Sequence, residues 1–182
     1  EWTAVCDLPM HPKCGLSIDH HQSNRPRDNE SRAMVVWKDS PSAARIAYEL
    51  FQEIIDLSDI EDLLDWVDKL DSGSISHEEF LSHAPAIWLS RIVDSGEESA
   101  AWVLEQLRSR VTTEEILADS KISKLVTEKQ EELENLNEII LSSMCIQDRI
   151  AVVRLDGSGI RSNGYHVTAM AGDRCDACMI IH

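Results

Sequence analysis

An α/β fold built on a parallel sheet is what this sequence predicts, on three observations. Two short apolar runs, "WTAVCD" and "CGLSID", read as strands, and each closes on an acidic residue. Apolar residues then recur at helical spacing through most of the stretch up to about residue 143. Strands followed by helices in this way favour a parallel sheet. Beyond residue 145 the pattern changes to short β-rich runs, "RIAVVRL", "YHVTAMA" and "CMIIH", punctuated by "DGSG", "SNG" and "AGD". A second α/β unit is therefore expected to begin there. The 182 residues, 43% of them apolar, suffice for one domain and part of another.

The elements follow in order. The first strand runs up to Asp7 and breaks at Pro9; the second runs up to Asp19 and gives way to the polar "HHQSNRPRDNES". In parallel sheets ligands gather beyond the carboxyl ends of the strands, so Asp7 and Asp19–His20–His21 are expected at one rim. Ser40 followed by Pro41 predicts an N-cap and first helical residue, opening "SAARIAYELFQEII". The helix "DIEDLLDWVDKL" ends at Asp71–Ser72–Gly73, and Ser76–Glu79 and Thr112–Glu115 both match the capping-box spacing. "GEESAAWVLEQLRSRV" is amphipathic. The longest helix is expected from Ser120 to Ser143, with Ile122, Leu125, Val126, Leu133, Leu136, Ile139 and Ile140 on one face. At 1.5 Å per residue it spans about 36 Å, which suits an inter-domain strut or an ordinary packed helix.

Charge limits the partners. The net charge is −16, and residues 145–182 hold four Arg and four Asp with no Lys or Glu. Residues 1–144 thus keep 13 of the 17 bases and 29 of the 33 acids, and carry the whole excess. Such a surface repels long nucleic acid and anionic membrane, and a phosphate-bearing substrate needs a local cation to be held. No apolar run reaches the length of a membrane span, and nothing reads as a signal peptide. Five cysteines, at 6, 14, 145, 175 and 178, form no even framework, which points to reduced thiols and a cytoplasmic protein. The chain opens at Glu1 on a strand already under way and closes on "CDACMIIH", so it is expected to be an interior stretch of a longer protein.

Asp62, Asp65, Asp68 and Asp71 recur three apart on one helix. For Asp62 and Asp65 a solvated acidic face is the expectation. Asp71 lies where the helix dipole disfavours anions, and a divalent cation would offset that placement as well as solvent does.

At this point "SIDHHQSN" is seen to resemble the signature of the DHH phosphoesterases, the superfamily of RecJ-type exonucleases, nano-RNA and cyclic-dinucleotide phosphodiesterases, exopolyphosphatases and family II pyrophosphatases. "AVCDLP" is similar to the motif with the metal-bridging aspartate, "DSPSAARIAYELF" to the small-residue helix after the signature, and "VDKLDSG" to the later motif with another metal aspartate. The closest flavour is the archaeal and bacterial DHH–DHHA1 type. The resemblance implies a partial DHH domain over residues 1–117, a linker helix over 118–144 and the beginning of a DHHA1-like substrate domain over 145–182. It implies that Asp7 bridges two Mn²⁺ or Mg²⁺ ions and that His20 and Asp71 ligate the second. His21 then faces the substrate phosphate and Asp19 orients a histidine. Carboxylate and imidazole suit such metals, and a ligating histidine commonly needs an acceptor on its other nitrogen. The implied reaction is hydrolysis of a small phosphoester or phosphoanhydride, or a short oligonucleotide, by metal-activated water without a covalent intermediate. A homodimer is compatible with it.

The departures from the family pattern are as informative. The N-terminal Asp-x-Asp motif and the late glycine-rich "GGGH"-type stretch are absent from these 182 residues. The chain alone is therefore expected to be inactive and to bind at most one metal weakly. A degenerate DHH domain serving as a binding or assembly module is the competing reading. Arg25, Arg27 and Arg32 form the one basic cluster of the acidic part; a solvated loop and a phosphate-steering role both fit, with Arg25 and Arg27 the residues for substrate. Cys175-x-x-Cys178 is expected in a buried strand rather than at zinc, His11 in a loop, and the five tryptophans in the core.

Overall fold

The structure, a computed structural model, describes residues 3–26, 33–157 and 162–181. By backbone contacts the chain groups into two units, Glu1–Ile75 and Ser76–His182. That division falls upstream of the compositional change near residue 145. The reason is that the long helix Ser120–Ser143 packs against segments on both sides of it within the second unit.

In the first unit three strands, β1 (Ala4–Cys6), β2 (Leu16–Asp19) and β3 (Met34–Trp37), form a parallel sheet with β2 in the middle. Strand β3 was not expected. "MVVW" is too short to show a period and follows a polar stretch, and it is a strand because it pairs with β2 in the register Asp19↔Trp37. The connection from β1 to β2 contains no helix. The Asp7 N–H donates to the Ile18 carbonyl at 3.0 Å, the Gly15 N–H to Thr3 at 2.8 Å, and a turn closes from Cys14 N–H to His11 at 3.0 Å. Parallel strands usually need a longer crossover; here the short one brings the ends of β1 and β2 side by side.

Helix α1 (Ala43–Phe51) is capped by Ser42 rather than Ser40. The Ser42 hydroxyl accepts from the Arg45 N–H at 2.9 Å, and Pro41 lies just before the cap. The helix stops at Phe51, short of the expected Ile55, since Ile54 and Ile55 are exposed and gain nothing by continuing it. Its Ala43 and Ile46 pack on Ile18 of β2, with Leu16, Val36 and Leu50 around them. Each fully buried aliphatic side chain there is worth about 1.5–3 kcal/mol. Helix α2 (Glu61–Ser72) buries Leu64 and ends at Gly73, whose φ of +70° is the left-handed cap that glycine adopts without a Cβ penalty.

The second unit contains α3 (His77–Leu81), α4 (Pro85–Val93), α5 (Glu97–Arg108), α6 (Thr113–Ala118) and α7 (Ser120–Ser143). Both capping boxes form as their spacing predicts, Ser76 with Glu79 and Thr112 with Glu115. A sheet follows in the order β4 (Cys145–Gln147), β5 (Ile150–Arg154), β6 (Ala177–Ile181), with β4–β5 antiparallel and β5–β6 parallel. Between β5 and β6 runs α8 (Gly164–Ala171). "YHVTAMA" is thus a helix, not a strand. Asn163 caps it through the His166 N–H at 2.8 Å, and His166, Val167 and Ala171 fall on the buried face. The core joins Leu136 and Ile140 of α7, Ala151 and Val153 of β5, Val167 of α8 and Cys175.

Of the tryptophans within the described residues only Trp88 is buried. Trp37, Trp66 and Trp102 are half-buried, and Arg25, Lys69 and Lys121 respectively lie over their rings. Aromatic rings at a boundary keep one face for a cation, which periodicity does not reveal. Among the described residues no helix is long and apolar enough to cross a membrane.

Candidate metal centre

The candidate site lies at the carboxyl ends of β1 and β2, within the first unit. Asp7 follows β1 with φ at +62°. An aspartate tolerates this left-handed conformation better than most residues, at a cost of about 1–2 kcal/mol. Its carboxylate Oδ1 stands 3.3 Å from Nε2 of His20 and 3.6 Å from Nδ1 of His21.

Asp19, the last residue of β2, is buried and holds the turn after it. Its Oδ1 accepts from the backbone N–H of His20 at 2.7 Å and of His21 at 2.9 Å, and from the His21 ring Nδ1 at 2.8 Å. Its Oδ2 accepts from the Asn24 amide at 2.6 Å. Burial works against the Asp19 charge. The bonds from His21, Asn24 and His20 outweigh it and hold the carboxyl below its ordinary pKa. The same bond raises the His21 pKa against some desolvation, with help from the charges of Asp19, Asp7 and Asp71. His21 Nδ1 carries the proton, and the half-exposed ring keeps Nε2 for another partner.

His20 is turned the other way. Its Nδ1 lies 3.0 Å from the Ser40 carbonyl, an acceptor only, so Nδ1 donates, and in the neutral ring Nε2 presents a lone pair. That Nε2 is buried without a hydrogen-bond partner. It faces Asp7 Oδ1 at 3.3 Å and Asp71 Oδ2, from the last turn of α2, also at 3.3 Å. With the ring neutral, these are three acceptors around one point, which repel one another unless a proton or a metal cation stands among them. Burial and then the Asp7 charge push the Asp71 carboxyl above its ordinary pKa, only partly offset by the two histidines. Two carboxylate oxygens and an imidazole nitrogen suit Mn²⁺, Mg²⁺ or a similar divalent ion. The ligand atoms of Asp7, His20 and His21 also lie within 4.8 Å of one another. His21 Nδ1 is already committed to Asp19, however, which makes Asp71 the better third donor.

Sequence reasoning missed the support beneath this set. The Asp68 carboxylate accepts from the Ser42 hydroxyl at 2.6 Å and from Arg45 Nε at 2.6 Å, and Arg45 Nη2 reaches Asp65 at 2.6 Å. Asp65 is thus ion-paired, not merely solvated. This network fastens α2, and with it Asp71, to the start of α1, two residues from the Ser40 carbonyl that holds His20. The acidic ladder contained the signal, but nothing in the spacing marks which aspartate meets Arg45.

The remaining predicted positions are dispersed. Arg25 is exposed, with its guanidinium 4.9 Å over the Trp37 ring. Arg27 and Arg32 lie outside the described residues. His11 sits in the β1–β2 loop, its Nδ1 accepting from the Lys13 N–H at 3.1 Å. Cys175 is buried in the core of the second unit and Cys178 lies in β6, packed against it.

No family model matches the chain, and no curated protein matches it by sequence. Its mixed α/β fold is shared with a solved structure. One similar solved structure is the pGpG-specific phosphodiesterase PggH from Vibrio cholerae, at TM-score 0.77 and 17% identity. The match covers 97% of this chain and 61% of that one, so the chain spans about three fifths of that protein's length.

Proposed function

We propose that this chain carries part of the metal site of a DHH-type phosphohydrolase, a phosphodiesterase acting on a small phosphoester or phosphoanhydride. The single observation behind this reading is the buried Nε2 of His20, which has no hydrogen-bond partner and faces two carboxylates at 3.3 Å. Asp7, His20 and Asp71 would hold one Mn²⁺ or Mg²⁺ ion; the second ion of a two-metal pair needs donors from further residues, with Asp7 the bridge. Bound there, the cations supply Lewis acidity toward a phosphoryl oxygen and acidify a water. His21, its proton fixed at Nδ1 by Asp19 and its charge favoured by three carboxylates, supports an equatorial phosphate oxygen. The likeness of fold makes pGpG the first substrate to try, before cyclic dinucleotides and polyphosphate.

The test is hydrolysis of pGpG by the protein that contains this chain, wild type against His20→Ala, with Mn²⁺ and with chelator. Mn²⁺-dependent release of GMP that His20→Ala abolishes supports the proposal. Release unaffected by both changes contradicts it. Mn²⁺-dependent binding of pGpG without turnover would favour the non-catalytic module.

A further inference from the structure

His21 sits at the rim with little packing to hold it. Its side chain is 46% exposed, and its ring meets that of His20 edge-on with centroids 4.4 Å apart. Asp19 Oδ1 takes both its backbone N–H and its ring Nδ1, so these two bonds pivot on a single oxygen. The carbonyl side of His21 is fastened separately. That carbonyl accepts from the Asn24 N–H at 3.0 Å, closing the turn Gln22–Asn24, and from the indole Nε1–H of Trp37 at 2.9 Å.

Trp37 is the last residue of β3 and stands opposite Asp19 in the sheet register. An indole has one polar atom, a donor with a fixed direction on a rigid ring, and here it is spent on the backbone of His21. The ring of the same side chain lies under the Arg25 guanidinium, 4.9 Å from its centroid to Cζ. Both ends of the turn, His21 and Arg25, are therefore fastened to one half-buried residue. The residues after Trp37 reach back in the same way. The Lys38 N–H donates to the Asp19 carbonyl at 3.4 Å, and the Ser40 carbonyl holds the His20 ring. Strand β3 and its continuation thus hold three consecutive residues at the end of β2.

We propose that Trp37 is a positioning residue: it braces the turn His21–Arg25 from the neighbouring strand and so fixes where His21 meets a substrate phosphate. The inference rests on the phosphohydrolase reading given above. Trp37 acts through His21, and its donor makes no bond to Asp7, His20 or Asp71. Its loss should leave the metal donors in place. Charge on the phosphate oxygens must be met most closely in the transition state, so a displaced His21 lowers kcat more than it raises KM.

The experiment compares Trp37→Phe with the wild type in the protein that contains this chain. Amide hydrogen exchange is followed by NMR in chelator, and Mn²⁺ affinity and pGpG hydrolysis are measured separately. Trp37→Phe keeps a ring for Arg25 and removes the donor. The Asn24 and His21 N–H groups should exchange about fivefold faster, the loss of one ordinary hydrogen bond. The Asp7 N–H, bonded to Ile18 in the same sheet, should keep its rate. With Mn²⁺, kcat should fall about fivefold while KM and the Mn²⁺ Kd stay within about twofold. Unchanged exchange at Asn24 and His21 overturns the proposal. So does faster exchange with kcat unaltered, or a loss of Mn²⁺ affinity as large as the loss of kcat, which would make Trp37 a support of the whole site. No hydrolysis by the wild type would contradict the function proposed above, and the exchange rates then decide on Trp37 alone. Should Trp37→Phe not fold, the wild-type Trp37 indole N–H decides: slowed exchange is expected, and exchange at the rate of a free indole overturns the brace.

Discussion

A 3.0 Å hydrogen bond joins the ring Nδ1 of His20 to the backbone carbonyl of Ser40. In the neutral ring it holds the proton on Nδ1 and turns a bare Nε2 toward Asp7 and Asp71. The polar groups of the site are set against one another in the metal-free chain, and the consequences can be measured.

Replacing Asp71 by Asn should raise the stability of the metal-free protein while removing its response to metal. Asp71 has a raised pKa, so its ionised form costs stability at pH values above that pKa, and the amide removes the charge. Thermal melts in chelator should show the variant at or above the wild-type Tm. With Mn²⁺ at 100 times its Kd the wild type should gain about 2.7 kcal/mol and the variant far less. A lower Tm in chelator together with an undiminished Mn²⁺ response would contradict the repulsion.

Asp68→Asn tests the support beneath the site. It weakens charge-assisted bonds from Arg45 and disturbs the one from the fully buried Ser42. A loss of about 1.5–3 kcal/mol is expected, seen as a lower urea midpoint at unchanged m value. Mn²⁺ affinity should fall about 10–100-fold, as it does when the groups that orient ligands are removed. An unchanged affinity would mean that α2 is held in place by other contacts.

Asp7→Gly separates ligand from fold. Glycine accepts φ at +62° without strain but adds backbone freedom to the unfolded chain, two opposing effects of about 1 kcal/mol each. Stability should therefore change little, while calorimetric Mn²⁺ binding falls steeply. Equal binding by this variant would remove Asp7 from the site.

The buried His166 predicts a pH dependence in the other unit. Its pKa is lowered from 6.5 on folding, so below 6.5 the unfolded chain binds the extra proton first. Stability then rises with pH in that window, and falls as pH drops from about 6.5 toward the folded pKa. Arg91 is the charge that acts on it, and Asn137 is its polar partner. His166→Gln should flatten that slope in urea titrations at successive pH values; an unchanged slope would assign it elsewhere.

How much of this could be read from the sequence depends on the range of the interactions. The ends of β1 and β2, the capping boxes and the long helix are written in local patterns and were legible. Asp7, His20, His21 and Asp71 were singled out through the resemblance of their motifs to those of the DHH phosphoesterases, and the structure brings Asp7 and Asp71 to within 3.3 Å of His20. Strand β3 and helix α8 were not, since four residues carry no period and Asn163 reads equally as turn or cap. Asp68 stayed hidden because its partner Arg45 is 23 positions away. The placement of Arg25 over Trp37 depends on a strand that the pattern did not reveal.

The most direct test of the metal centre is anomalous diffraction at the manganese edge from crystals of the chain grown with Mn²⁺. The prediction is one peak in direct coordination of Asp7 Oδ1, His20 Nε2 and Asp71 Oδ2. A fully occupied peak elsewhere, with these three atoms left without metal, would contradict it.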